Sequence, residues 1–517
     1  MRGRNVGRLY PLLFAVLPFV HVVAYNPGQS RLTTLGLVVV ALWGGFGLLY
    51  LLVSWAQRGR ASASLTPLVV LAAVAWFYLN SVAQHLIERA IGTSVSPLVP
   101  VPLGLLLSAG CLVWVGRRPR VRDGAHAVLP LMGLLLMGWS VIRIGVNEIR
   151  DRHAIATSAL VTDLAAPIKG GRIPYTSLDK PDIYLIVLDE YANSAVLQEV
   201  FGAANPEFED SLRTLGFTIP KLVRSNYTQT TLSIPSLLNF SYLSGLTAEV
   251  GPRSNDRSLP NYLLENNRVV RFLQAQGYRF VFFPSEWWRA TDHNRHADRE
   301  FRVGGGLSLR RELAASELEK LLWRFTLLGA IGPINPVYAE YIKRTFAGVR
   351  KLDTGGTPTF VFAHFIFPHA PYVLNARCES RVGPYQGDPD QRYLAQVRCA
   401  NALILGLVGR LLHRPGKPPI ILLQGDHGTA MRGYNTAPTP RLVAPPQARE
   451  RFGAFGAYYL PDGGGRLFTD TVTVVNVFRK VLSYYFAADL PPEPDHLYMS
   501  LEDTPYDLVE VDPASLK

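Results

Sequence analysis

The feature that most constrains this chain is the series of apolar segments that fills its first 150 residues and does not recur afterwards. Five stretches, at roughly 10–26, 33–55, 65–85, 97–116 and 126–147, each approach the about 20 residues a helix needs to cross the hydrocarbon core of a bilayer. Their flanks suggest an orientation. Arg2, Arg4 and Arg8 precede the first stretch, Arg58 and Arg60 follow the second, and Arg117, Arg118, Arg120 and Arg122 separate the fourth from the fifth. With the amino terminus in the cytoplasm, every cluster falls on the cytoplasmic side, and five crossings place everything after residue 150 outside. The basic start resembles that of a signal peptide, but no small-residue cleavage site is evident before Pro27. The apolar interiors carry almost no ionisable groups, with Arg143 and Glu148 near the outer end of the fifth, which favours an anchor over an ion-coupled carrier.

Composition adds two restrictions. The formal charge of +12 is largely these flanking arginines, and no Lys/Arg run interleaves with exposed aromatics, so no nucleic-acid partner is expected. Of the 3 cysteines, Cys111 lies in an apolar stretch, which leaves Cys378 and Cys399 as one bridge in an oxidising compartment or as two unrelated small residues. Residues 148–180 mix charge, Ala and Gly, include a short amphipathic helix before Gly170-Gly171, and read as a linker. The expected organisation is a five-helix transmembrane domain at 1–147, a juxtamembrane linker at 148–180 and an extracytoplasmic domain at 181–517, in the inner (plasma) membrane.

From Pro181 the pattern changes to short apolar runs spaced by helix-length intervals: Ile183 to Leu188, Arg279 to Phe283, Thr359 to Phe365, Pro419 to Gln424 and Ala457 to Leu460. Continuous apolar strands alternating with helices predict an α/β fold whose mainly parallel sheet is covered on both faces. Chemically capable residues follow these runs: Asp189 and Glu190, Ser285 and Glu286, His364 and His369, Asp426 and His427. Ligands of open α/β sheets sit at the carboxyl ends of strands, so such residues converge there. Singly, each reads as a helix cap or an ordinary hydrogen-bonded side chain; together they predict a site for a divalent ion, with zinc or manganese favoured by the mixture of carboxylates and imidazoles. His293, His296 and Asp298 read as a solvated charged loop. Trp287 and Trp288 could line a lipid or sugar pocket, lie at the membrane interface or pack in the core, and the Pro-rich acidic end from Leu490 reads as a surface tail.

The segments DIYLIVLDEYA, SNYTQTTLSIPSLLNFSYL, HFIFPHAPY and LLQGDHG, in that order, resemble the sulfatase-like branch of the alkaline phosphatase superfamily. The chain is similar, more closely, to the membrane-bound phosphoethanolamine transferases and lipoteichoic acid synthases, which likewise carry five transmembrane helices before an extracytoplasmic domain. The resemblance implies a metal-dependent enzyme. Asp189 and Glu190 match the position of the first metal carboxylate, one ligating and the other supporting, with the order left open; Asp426 and His427 match the Asp-His pair that completes the site. Thr230, followed by Ser233 and Pro235, matches the nucleophile, with Thr228, Thr231 and Ser233 as rivals. His369, and more weakly His364, match residues that contact the transferred group or a second metal.

Two departures bear on function. No histidine follows His427 before His496, so the second metal position is absent or built differently. Leu237 stands where the sulfatase signature after Ser233-Ile-Pro-Ser carries Arg, which argues against sulfate-ester hydrolysis by a modified residue. The resemblance implies transfer of a phosphorus-containing head group from a membrane lipid to an envelope glycan or lipid. A phosphate or sulfate ester hydrolase using the same site, and a catalytically inactive envelope scaffold, are the alternatives.

Overall fold

The computed structural model describes residues 8–93, 95–168, 180–285, 289–301, 321–322, 325–330, 335–381 and 387–516. Glu286, Trp287 and Trp288 lie outside them. The chain divides into two compact units, Met1–Arg150 with Leu307–Ile334, and Asp151–Gly306 with Asn335–Lys517.

In the first unit each of the five apolar stretches is a helix: α1 Pro11–Tyr25, α2 Leu32–Ala56, α3 Thr66–Ile91, α4 Val101–Gly116 and α5 Pro119–Thr157. Within it, α2, the Ser62–Ile91 stretch that contains α3, and α5 are long and apolar enough to cross a membrane, while α1 and α4 are shorter. Apolar side chains such as Leu48, Trp55, Leu106, Leu135 and Ile142 face outward, as they would in lipid but not in water. Some polar groups are satisfied internally. Arg143 Nε and Asn147 Nδ2 both donate to the Ala24 carbonyl near the end of α1, one of the orphan acceptors that every helix end leaves. Gly104 permits close packing of α4 on α3, because a Cβ there would lie 1.9 Å from the Trp76 ring. Leu321, Leu322 and Leu328 join the apolar cluster that Val16, Phe19, Val38 and Leu42 form.

The fifth helix starts earlier and runs further than the apolar stretch at 126–147, and a second helix, Ala159–Ala165, follows with Ser158 accepting from Val161 N as its cap. Much of the expected linker is therefore helical, and residues 169–179 lie outside the described residues.

The second unit is the α/β domain. In chain order its strands are β1 Ile183–Leu188, β2 Leu222–Arg224, β3 Arg279–Phe283, β4 Arg299–Glu300, β5 Thr359–Phe365, β6 Ile420–Gly425, β7 Gly456–Tyr459, β8 Thr471–Thr473, β9 Leu497–Leu501 and β10 Thr504–Val511. Six form one sheet in the order β4-β3-β5-β1-β6-β7, parallel except for β7 at one edge. Each central strand is buried on both faces, which is why it reads as a continuous apolar run. Tyr184, Ile186 and Leu188 point into one layer with the helices Asn335–Lys351 and Pro389–Leu412; Ile183, Leu185 and Val187 point into the other with Thr230–Asn239 and Val474–Phe486. Each fully buried aliphatic side chain contributes roughly 1.5–3 kcal/mol. The helix Pro389–Leu412 is apolar enough to resemble a span, yet it packs in this core and carries Cys399, which is disulfide-bonded to Cys378.

The end from Leu490 is not the surface tail that its composition suggests. Strands β9 and β10 form a hairpin whose first strand receives Thr228 Oγ1 at the Ser500 carbonyl and Gln229 Nε2 at the Leu501 carbonyl, so it braces the loop entering the Thr230–Asn239 helix.

Candidate metal centre

Strands β5, β1 and β6 are adjacent at the middle of the sheet, and their register fixes what converges. Leu188 pairs with both Phe365 and Gly425, so Asp189 and Asp426 stand one residue beyond the same level, and His364 stands beside Val187. Two glycines permit this. A Cβ on Gly425 would lie 2.5 Å from the Tyr191 carbonyl oxygen, and one on Gly428 would lie 1.9 Å from that of Glu450. The GDHG segment is thus a close backbone crossing that larger residues would force apart.

Among the described residues, Asp189, Asp426 and His427 each offer a ligand atom, and those atoms lie within 4.8 Å of one another; all three residues are buried. Asp189 Oδ1 and Asp426 Oδ2 find no hydrogen-bond donor, an arrangement that a cation satisfies and that is costly otherwise. The second oxygen of Asp426 is held by the backbone N–H groups of Glu190 and His427. The His427 Nδ1 lies 3.1 Å from the Gly428 carbonyl and donates to it, which leaves the Nε2 lone pair facing the carboxylates. Burial and the Arg451 guanidinium hold this imidazole well below the usual histidine range. Burial and the Asp189 charge push Asp426 well above the usual carboxylate range. Burial opposes ionisation of Asp189, but His369, His364 and His427 outweigh it and hold the carboxyl low. Two close carboxylates with a neutral imidazole fit a divalent ion, the charge that lets both ionise together.

Thr230 is the first residue of its helix, with Gln229 at the cap position making no side-chain cap bond. No side-chain hydroxyl caps this helix start. Instead Thr230 Oγ1 lies 2.9 Å from His427 Nε2. The rivals are engaged elsewhere: Thr228 Oγ1 donates to the Ser500 carbonyl, Ser233 Oγ donates to the Asp426 carbonyl, and Thr231 is only 2% exposed.

The acidic pair splits. Glu190 has φ 58, a left-handed backbone that few side chains adopt without cost, and its carboxylate turns to Arg451, with Oε1 2.7 Å from Nη1. Its other oxygen lies 3.9 Å from His369 Nε2. Burial works against the proton on His369, but Glu190 and Asp189 prevail and push its pKa up to about 9. His364 Nε2 lies 3.7 Å from Asp189 Oδ2 while its Nδ1 meets Thr291 Oγ1, which in turn meets Ser285 Oγ, so Ser285 braces an imidazole.

Asp298 accepts from the Phe280 N–H, His293 meets Glu300, and His296 meets Asn266, so that loop is held by structural bonds. Two residues central to the site escaped the sequence reading. Arg451 is 3% exposed and Glu450 1%, both from the helix Pro445–Phe452. Glu450 accepts from Thr429 Oγ1 and from the N–H groups of Met431 and Arg432, which fastens the loop after GDHG. The only signal was an acid and a base side by side in PPQARERF.

A mainly parallel sheet carrying acidic and imidazole groups at three adjacent strand ends defines an α/β domain with a candidate metal site. A family model described as Sulfatase matches residues 181–464, and the chain belongs to that family, whose superfamily consists of metal-dependent enzymes. Among solved structures it is similar to the C-terminal periplasmic domain of EptC from Escherichia coli in complex with Zn, at 10% identity and TM-score 0.43 over 67% of this chain and 96% of that one. It is also similar to the periplasmic domain of the phosphoethanolamine transferase EptC from Campylobacter jejuni, at 12% identity and TM-score 0.36 over 59% and 89%. A putative sulfatase, yidJ, from Bacteroides fragilis matches at 14% identity and TM-score 0.38 over 64% and 83%. No curated protein matches this chain.

Proposed function

We propose that this chain is a membrane-anchored, metal-dependent transferase that takes a phosphorus-containing head group from a membrane lipid, holds it on Thr230 and passes it to an envelope glycan or lipid. The observation that carries the reading is the meeting of Thr230 Oγ1 with His427 Nε2 at 2.9 Å, beside the unpartnered oxygens of Asp189 and Asp426. Asp189, Asp426 and His427 would hold the ion, with zinc or manganese fitting their mixture of oxygen and nitrogen. When bound, such an ion lowers the pKa of an adjacent hydroxyl and neutralises charge on a phosphoryl oxygen.

The protein's own groups account for the rest. Thr230 releases its proton to solvent water, its Oγ forms a bond to phosphorus, and the phosphorus–oxygen bond to the donor lipid breaks. The helix beginning at Thr230 presents its positive end to the phosphoryl group. His369, whose protonated form the neighbouring Glu190 carboxylate favours, supplies a proton to the departing oxygen. An acceptor hydroxyl then attacks the phospho-threonine and reverses these roles. Positioning and charge are most of what phosphoryl transfer requires.

A lipid donor explains the apolar helices at 1–147, and the arginine pattern together with the Cys378–Cys399 bridge supports an extracytoplasmic catalytic domain at 181–517 in the plasma membrane. The test is purified full-length protein incubated with a phospholipid donor, followed by mass spectrometry of the Thr230 peptide. A head-group adduct on Thr230 supports the reading; free head group released with no adduct in the wild type or in slowed variants rejects it.

A further inference from the structure

The candidate metal centre occupies one end of the central strands, and a second concavity lies at the other. It has a volume of about 950 Å³ and is lined by residues that precede β1, β5 and β6 and by the ends of the helices Asn335–Lys351 and Pro389–Leu412. The strands that separate it from Asp189 and Asp426 are six or seven residues long, a span of about 20 Å. Six cations line it, Lys180, Arg350, Lys351, Arg410, Arg414 and Lys417, against two carboxylates, Asp182 and Asp353. Both acids are tied to the backbone: Asp182 Oδ1 accepts from the Thr359 N–H and Asp353 Oδ1 from the Gly355 N–H. Arg414 is fixed in place, its Nη1 donating to the Tyr184 hydroxyl at 2.7 Å and its Nη2 to the Val349 and Arg350 carbonyls at 3.3 and 2.9 Å. Arg350, Lys351 and Arg410 are exposed and, among the described residues, form no ion pair.

Helix ends account for some of these cations one at a time. Arg350 and Lys351 close the helix Asn335–Lys351, and Arg410 lies in the last turn of Pro389–Leu412, where the backbone dipole favours positive charge. They do not account for six cations around one cavity, an excess of four over its two carboxylates that repels itself until an anion enters. We infer that this cleft is a binding site for a polyanionic glycan, a saccharide chain that carries carboxylate or phosphate groups, held apart from the reacting centre. Its volume lies within the range of about 300–1,000 Å³ that ligand sites take, and several acid groups on one chain meet the cations together as a single phosphate does not. The Thr354 hydroxyl and the two carboxylates add partners for sugar hydroxyls. A bilayer surface fits less well, because none of the exposed large apolar side chains lines the cleft and membrane-surface sites carry such anchors. The lining also holds no aromatic ring on which a nucleic-acid base could stack. The role of the cleft as a tether for the envelope acceptor rests on the transferase reading proposed above; binding itself does not.

The experiment is calorimetric titration of full-length protein in neutral detergent, at low ionic strength, with polygalacturonate, a polymer of sugar carboxylates. Neutral dextran, inorganic phosphate and dihexanoyl phosphatidylglycerol, a soluble anionic lipid, are titrated in parallel, and thermal melting follows folding. Wild type and Thr230→Ala are expected to bind polygalacturonate alike. The triple variant Arg350→Gln, Lys351→Gln, Arg410→Gln is expected to bind it about tenfold more weakly or worse. A control triple variant, Arg253→Gln, Arg377→Gln, Arg398→Gln, removes the same charge from exposed positions outside the cleft and is expected to stay within about twofold of wild type. Arg410→Glu, which reverses one exposed charge, is expected to weaken binding too and serves where the triple variant fails to fold. No binding by the wild type, equal losses in the two triple variants, loss of binding in Thr230→Ala, or binding of dextran, phosphate or the lipid as tight as that of polygalacturonate would each overturn the inference. Head-group transfer by the same preparations tests the transferase reading separately: inactive protein that binds polygalacturonate fails only that reading, and active protein that does not bind it fails only this one.

Discussion

Thr230 Oγ1 and His427 Nε2 stand 2.9 Å apart although 197 residues separate them in the chain. The contact depends on a helix that begins at Thr230 and on a strand end whose two glycines admit a close backbone crossing. If the hydroxyl is the nucleophile, Thr230→Ala lowers turnover by about 10³-fold or more while metal content stays at the wild-type value, and Thr230→Ser keeps measurable activity. Head-group release and metal analysis on the same preparations check both halves.

Gly428 gives a steric prediction. A methyl group there would fall 1.9 Å from the Glu450 carbonyl oxygen, a backbone atom with nowhere to move cheaply. Gly428→Ala should destabilise the catalytic domain by roughly 3 kcal/mol, read as a fall in the urea midpoint. Wild-type stability would mean that the loop does not cross where the structure places it.

The C-terminal hairpin makes a less obvious contribution. Gln229 Nε2 donates to Ser500 Oγ and to the Leu501 carbonyl, and Gln229 immediately precedes Thr230. Gln229→Ala should reduce kcat about 10- to 100-fold with metal retained, because it removes a support and no ligand. Unchanged kcat would show that the hairpin does not position the hydroxyl.

This hairpin also shows where sequence reading reaches its limit. The strands were legible because IYLIVL, TFVFAHF and PIILLQ are buried on both faces and so mostly apolar, and Asp189, His364 and Asp426 then fall at or just beyond their ends. The sheet order places those ends side by side. The division of labour between Asp189 and Glu190 was not legible, since it turns on the φ of 58 at Glu190 and on a partner 261 residues away. Arg451 carries no local pattern that marks it, because only the fold brings PPQARERF against GDHG. Composition misjudged the residues after Leu490: Pro and acids crowd the approach, but the pairing strands follow it.

His369 gives a pH prediction for the metal-free protein. Its pKa in the folded state is about 9 against an ordinary 6.5, so the folded state binds this proton more tightly than the unfolded chain. The resulting stabilisation is complete below about pH 6.5, declines as pH rises towards 9 and is gone above it. Urea denaturation in the presence of a chelator should therefore show wild type and His369→Gln converging as pH rises from 6 to 10. A gap that widens with pH would contradict the charge arrangement around Glu190 and Asp189.

The central claim is that an ion is held by Asp189, Asp426 and His427 beside Thr230. Anomalous diffraction at the metal edge from crystals of the loaded protein tests it most directly. The account predicts a peak at about 2.0–2.2 Å from an oxygen of Asp189, an oxygen of Asp426 and His427 Nε2, with Glu190 still paired to Arg451. A peak bonded to Glu190 in place of Asp189, or none there, would contradict it.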